Sequence, residues 1–187
     1  ICRLFRRAAD AEGEMSGDAL GSVVTAQGRI TFERGDGTVI EDITAVDGQL
    51  NWPQLDAPLS LSAEAIWRGT AGSLAFNTQS PRAFFLNTPS ETGLTVQSDA
   101  VALDFDGMAN AGGPLFADGA MSFSTPSLQT LMTILGTDLT PGRALGEVAL
   151  SGPVRLAQRR MRFEGLDITV DGNSGSGVLE IGISAQR

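Results

Sequence analysis

Apolar and polar residues alternate with a period of two over most of this chain, and the clearest run is Leu145 to Ser184. Its first strand sets Val148 and Leu150 against Glu147, Ala149 and Ser151, and its second sets Val154 and Leu156 against Arg155. A third runs through Met161 and Phe163 and resumes beyond Gly165 with Leu166, Ile168 and Val170. After a turn at Asp171-Gly172-Asn173, Leu179, Ile181 and Ile183 share one face of a fourth. Alternation bounded by Gly, Asp and Asn predicts an antiparallel meander with one apolar and one wet face.

The same grammar holds upstream. Val24, Ile30 and Phe32 read as a strand broken near Gly28, and Gly35-Asp36-Gly37 as a turn. Val39 to Val46 and Gly48 to Trp52 form a strand pair, kinked or turned at Asp47-Gly48. Pro53 and Pro58 bracket a loop. Leu59, Leu61, Ala63 and Ala65 then alternate up to Trp67, Arg68-Gly69 is a turn, and Leu74 and Phe76 lie on the next strand. Further strands are expected at Leu94 to Gln97, Val101 to Phe105 and Leu115 to Phe123. Two short helices interrupt the β pattern. In Ser80-Pro81-Arg82-Ala83-Phe84-Phe85-Leu86, a Ser N-cap precedes Pro at the first helical position. In Thr125 to Gly136 the device returns, with Leu128, Leu131, Met132 and Leu135 on one apolar face. Residues 1–20 show no strand period and read as a lead-in, with a short helix over Leu4 to Met15, ahead of a β domain at 21–187.

Composition narrows the chemistry. The net charge is −9 and all 13 basic residues are Arg, a balance unsuited to the phosphates of nucleic acid. Arg159, Arg160 and Arg162 form a basic patch, which a solvated strand and turn explains more simply than a phosphate site. The chain has no His, Lys or Tyr, and Cys2 is its one cysteine. Thus the usual His/Cys zinc site, a Ser-His-Asp triad, a Schiff-base lysine and a P-loop cannot be built. No cofactor is expected. No apolar run is long enough to cross a bilayer as a helix.

The remaining motifs are weak. Asp104-Phe105-Asp106-Gly107 resembles the opening of a calcium loop, yet Met108 and Leu115 stand where further oxygen ligands belong. A solvated strand ending in a turn is the better reading. Asp171 to Gly177 reads as a hairpin turn. Paired carboxylates could serve a hydrolase, but nothing in the spacing brings any two together. Trp52, Trp67, Phe84 and Phe85 read as core. The apolar sheet face has two readings, a closed core or an open groove for an apolar ligand.

Gly72-Ser-Leu-Ala-Phe-Asn-Thr-Gln-Ser-Pro and Gly119-Ala-Met-Ser-Phe-Ser-Thr-Pro repeat one pattern: glycine, alternating strand, hydroxyl residue, proline, helix. A third unit starts at Leu145 and ends in strand. Such repetition predicts stacked units that bury their faces against one another. From Leu74 onward the chain resembles the C-terminal region of the AsmA family of bacterial envelope proteins. The likeness rests on Gly119 to Gly136, on Leu145-Gly-Glu-Val-Ala-Leu-Ser-Gly, and on Leu166-Asp-Ile-Thr-Val-Asp-Gly-Asn with Gly177-Val-Leu-Glu-Ile. Residues 38 to 70 follow the same style more loosely.

The resemblance implies a non-enzymatic periplasmic domain of a larger, inner-membrane-anchored protein of a Gram-negative bacterium, similar to TamB-type proteins. It further implies a role in outer-membrane biogenesis and phospholipid movement, without catalytic residues. The fold expected is mainly β: an elongated, curved antiparallel sheet, a repeat-like β-groove, with two short α-helices. Phospholipid or another acyl lipid is the expected partner, with other envelope proteins possible. The candidate groove lining is Val101, Leu103, Phe105, Met121, Phe123, Val148, Leu150, Leu166, Ile168, Leu179 and Ile181. The alternative is a closed structural or protein-interaction module with no lipid ligand.

Overall fold

The structure, a computed structural model, describes residues 19–35, 38–135 and 146–182. The lead-in before Ala19, the helix stop at Gly136, and Leu145, Ile183 and Ser184 lie outside the described residues. Ten strands form one antiparallel sheet in strict chain order: β1 (Ala19–Glu33), β2 (Val39–Gln54), β3 (Leu59–Trp67), β4 (Thr70–Thr78), β5 (Ser90–Ser98), β6 (Ala102–Asn110), β7 (Phe116–Thr125), β8 (Val148–Ala157), β9 (Arg160–Val170) and β10 (Asn173–Gly182). Helix α1 (Pro81–Phe85) joins β4 to β5, and α2 (Leu128–Leu135) lies between β7 and β8. Among the described residues the sheet is open, with β1 and β10 as its edge strands.

Registration aligns the alternation of each strand with its neighbours. One inner row runs Leu61, Phe76, Leu94, Phe105, Met121, and the next runs Ala63, Leu74, Val96, Leu103, Phe123, Leu150, Ile168. The outer face carries exposed Asn77, Asp104, Asp106, Ser122 and Ser151. Three hairpins close through two-residue turns with both φ angles positive, at Arg68-Gly69, Gln158-Arg159 and Asp171-Gly172. That is the turn whose twist matches paired strands.

Several boundaries differ from the sequence reading. The two strands expected across Glu147 to Leu156 are one, β8, whose pairing with β7 runs unbroken through Gly152 and Pro153. The extra residue sits in β9, where Gly165 (φ 71°) takes the bulge, so the missing Pro153 N–H falls where the ladder is interrupted. Likewise β2 is a single strand. It bends at a bulge between Thr44 and Asp47, with Ala45 at φ 48°. The Asp47 carboxylate accepts from the Gln27 backbone amide (2.8 Å) and side-chain amide (3.0 Å), locking that bulge to the one in β1. Gly107 is mid-strand rather than in a turn. It faces Gly119, and a Cβ on Gly107 would lie 2.6 Å from the Gly119 Cα. Leu115 precedes β7 and is exposed.

Both helices form, with different caps. Pro81 opens α1, but the Ser80 side chain makes no capping bond; its amide instead donates to Ser90 Oγ (2.8 Å). In α2 the cap is Ser127, whose Oγ accepts from the Thr130 amide (3.2 Å), so Pro126 precedes the helix.

Candidate functional site

The inner face divides into a packed half and a hollow half. The packed half centres on Val154, Phe163 and Leu166, against which Phe105, Met121, Leu150, Met161, Ile168 and Leu179 lie. Phe163 is only 1% exposed. Helix α1 covers the adjoining strands. Its Phe84 is buried, with its ring centroid 5.4 Å from that of Phe76. Beneath it the hydroxyls of Thr78, Ser90 and Thr92 are buried and bonded to one another (Thr78–Ser90 2.9 Å, Thr92–Thr78 3.3 Å). Each buried hydroxyl therefore has a partner, which removes most of its desolvation cost.

Two hollows stand out: a depression of about 670 Å³ on the outer face and, in the hollow half of the inner face, a cavity of about 530 Å³ beneath α2. The outer one is larger but is a shallow, solvated depression edged by Asn77, Thr95, Asp104 and Asp106. Asp104 there accepts a hydrogen bond from Thr95 (2.9 Å). Two exposed carboxylates on an open face have no enclosed space in which to shed water, so this depression is a poor setting for acid–base chemistry. No group of three or more metal-ligating side chains occurs among the described residues.

The inner cavity differs in kind. Its floor is Ala63, Ala65, Leu74, Val96, Leu103 and Phe123; its ends are Ile30, Ile43 and Val46 on one side and Ala100 and Val101 on another; Leu131, Ile134 and Leu135 of α2 form the remaining wall. Among the described residues no ionisable side chain lines it, and Thr70, Ser73, Gln97 and Ser98 contribute the few neutral polar groups. In a flat sheet β1 and β7 would stand roughly 29 Å apart, six steps of about 4.8 Å. That Ile30 and Phe123 line one cavity means the sheet curls strongly inward. The close approach of Gly107 and Gly119 lies within this curl.

A charged tie holds α2 across the cavity. Arg68, in the β3–β4 turn, donates to the backbone carbonyl of Ile134 near the helix C-terminus, where a cation also meets the negative end of the helix dipole. The same guanidinium pairs with Glu41 through Nη2 and donates to it through Nε (3.1 Å), and it lies over the Trp67 ring at 5.2 Å. Trp67 Nε1–H donates to Glu41 as well (2.9 Å). The Arg68 guanidinium first, and the Trp67 indole second, hold the Glu41 carboxyl below its ordinary pKa.

The residues expected to line a groove thus separate. Val101, Leu103 and Phe123 line the cavity. Phe105, Met121, Leu150, Ile168 and Leu179 pack on the buried trio, of which Leu166 is a member. Val148 is buried opposite Thr125, at the end of β7 that leads to α2. Ile181 stands 44% exposed on the edge strand. Sequence reasoning missed Ile43, Val46, Ala65, Trp67 and Val96, although their strands carry the same alternation. It also missed that the apolar face of α2 is a cavity wall. Comparison of the chain with protein-family models, with curated proteins and with solved structures finds no match.

Proposed function

We propose that this is a non-enzymatic domain that binds the acyl chain of a lipid in the cavity between its curled sheet and α2. A single observation supports the reading: a half-open apolar hollow of about 530 Å³, within the range of about 300–1,000 Å³ usual for small-molecule sites, with no ionisable side chain among the described residues that line it. Such a lining is mostly apolar, with a few neutral polar groups. It suits a hydrocarbon chain, which gains about 0.8 kcal/mol per buried methylene without any directed contact. The likeness to the AsmA family points the same way. That resemblance implies a periplasmic setting, within a protein of the inner membrane that serves outer-membrane biogenesis and phospholipid transport. Among the described residues no helix is long and apolar enough to cross a membrane.

A fluorescent fatty acid added to delipidated protein tests the proposal. Saturable uptake, lost on Ala65→Trp, is the expected result. No uptake, together with no co-purified lipid in native mass spectrometry, would refute it. A second reading, a protein-interaction module, draws on the edge strand β1, where Val23 and Val24 are 60% and 72% exposed. Unpaired edges of this kind accept a partner strand.

A further inference from the structure

We infer that one end of the sheet seats on the surface of an anionic lipid bilayer, at the platform where α1, the β6–β7 loop and the β8–β9 turn adjoin. This goes beyond the acyl-binding reading and stands on other residues, for none of those that form the platform lines the cavity.

Strand direction brings the three connections to the same end of the sheet: α1 follows Thr78, the loop follows Asn110 and the turn follows Ala157. The amides of Ala111 and Gly112 both donate to the Phe84 carbonyl (3.0 and 3.2 Å), which lays the loop along α1. Ala117 pairs with Leu156, so Leu115, two residues earlier, stands level with Gln158, two residues later. On this platform Leu86 is 40% exposed and Leu115 is 54% exposed.

Charge identifies the partner. Residues 79–90, 110–117 and 157–162 hold Arg82, Arg159, Arg160 and Arg162 and no Asp or Glu, in a chain whose net charge is −9. The acids nearest along the chain, Glu91 and Asp118, lie within β5 and β7, and Asp56 lies in the β2–β3 connection. Arg160 and Arg162 reach Glu180 (3.5 Å) and Glu164 (3.1 Å), but on exposed side chains, where water screens such pairs. Arg159 stands at the apex with φ 63°, in the turn position that Gly69 and Gly172 fill in the two sister turns. A charged side chain is thus kept where glycine would be the least strained choice. Exposed leucines framed by arginines suit an anionic bilayer: the apolar tips enter the head-group region while the guanidiniums meet its phosphates. A free phosphate would engage the arginines and make no use of the leucines.

The test is co-sedimentation of the full chain with vesicles of phosphatidylcholine alone or of equal parts phosphatidylcholine and phosphatidylglycerol. Binding to the anionic vesicles, little to the neutral ones, and release by high salt are expected. Arg159→Gln and Arg160→Gln should each lower the partition coefficient about five-fold. Leu115→Ser should lower it several-fold. Arg34→Gln at the opposite end of the sheet, Val24→Ser on β1 and Ala65→Trp in the cavity should change it little, with thermal melts showing every variant folded. No binding to anionic vesicles, equal binding to neutral ones, or binding that the two arginine variants and Leu115→Ser leave intact would overturn the seat. So would loss on Val24→Ser or Ala65→Trp, which would move the contact to the β1 edge or the cavity. Release by inorganic phosphate beyond that caused by chloride at equal ionic strength would assign a soluble anion instead and overturn it too. Because fatty-acid uptake is read separately, this proposal and the acyl-binding one can fail independently.

Discussion

Replacing Phe163 by Ala probes the division of the inner face most directly. Phe163 is 1% exposed and contacts Val154 and Leu166 in the most enclosed part of the sheet. Truncation removes the ring's transfer free energy and leaves a void that β-strands held in register on both sides cannot collapse to fill. Such Phe→Ala changes cost about 3–5 kcal/mol. For a chain of this size each kcal/mol lowers the midpoint by about 2–4 °C, so a fall of about 6–20 °C is expected. Thermal unfolding followed by circular dichroism measures it, with Val178→Ala, at a 65% exposed edge position, as a control that moves little. Below its new midpoint the variant should still take up fatty acid with near wild-type affinity, because Phe163 does not line the cavity. A midpoint shift under about 2 °C, or a collapse of uptake well below the midpoint, would refute the separation of a packed half from a hollow half.

Two further perturbations read other parts of the design. Arg68→Ala removes the donor to the Ile134 carbonyl and the partner of Glu41, so amide exchange across Leu128–Leu135 should quicken several-fold while β8 and β9 are unchanged; equal rates in α2 would show the tie to be idle. The same tie should weaken in acid. The folded pKa of Glu41 lies below its unfolded value, so its stabilisation is full above the unfolded pKa of about 4.3 and is lost as pH falls through the folded one. Protection of α2 should therefore drop selectively below about pH 4, and Glu41→Gln should abolish that dependence. Gly107→Ala places a Cβ 2.6 Å from the Gly119 Cα and against the Asp118 carbonyl, and should cost about 1–3 kcal/mol. Gly177→Ala, with nothing within 4 Å, should be close to neutral in the same melt.

Much of the sheet could be read from alternation alone, because each strand pairs with its sequence neighbour and shows its period on one face. The helices at Pro81 and after Pro126 were legible for a local reason too, since proline cannot continue a strand ladder but suits a helix start. What escaped the sequence was non-local. Gly152-Pro153 looks like a break, and only the bulge at Gly165 on the facing strand explains why β8 runs through it. Gly107 looks like a turn until Gly119 is seen opposite. The apolar stripe of α2 shows that the helix covers something. It does not show that Arg68, far back in the chain, holds the helix over a space left partly empty. Leu103 and Leu150 share one row and one pattern; whether such a residue faces the cavity or the packed cluster depends on the curl of the whole sheet.

Strict neighbour-to-neighbour pairing carries a consequence for how the molecule assembles. No strand waits for a partner from a distant part of the chain, so every ladder is closed by a loop of modest length, and the entropy of loop closure is met in small instalments. Folding can begin at any hairpin and spread outward in both directions, as teeth engage along a zipper. The central hairpins, supported on both flanks, should come apart last, and the two outermost ribbons first.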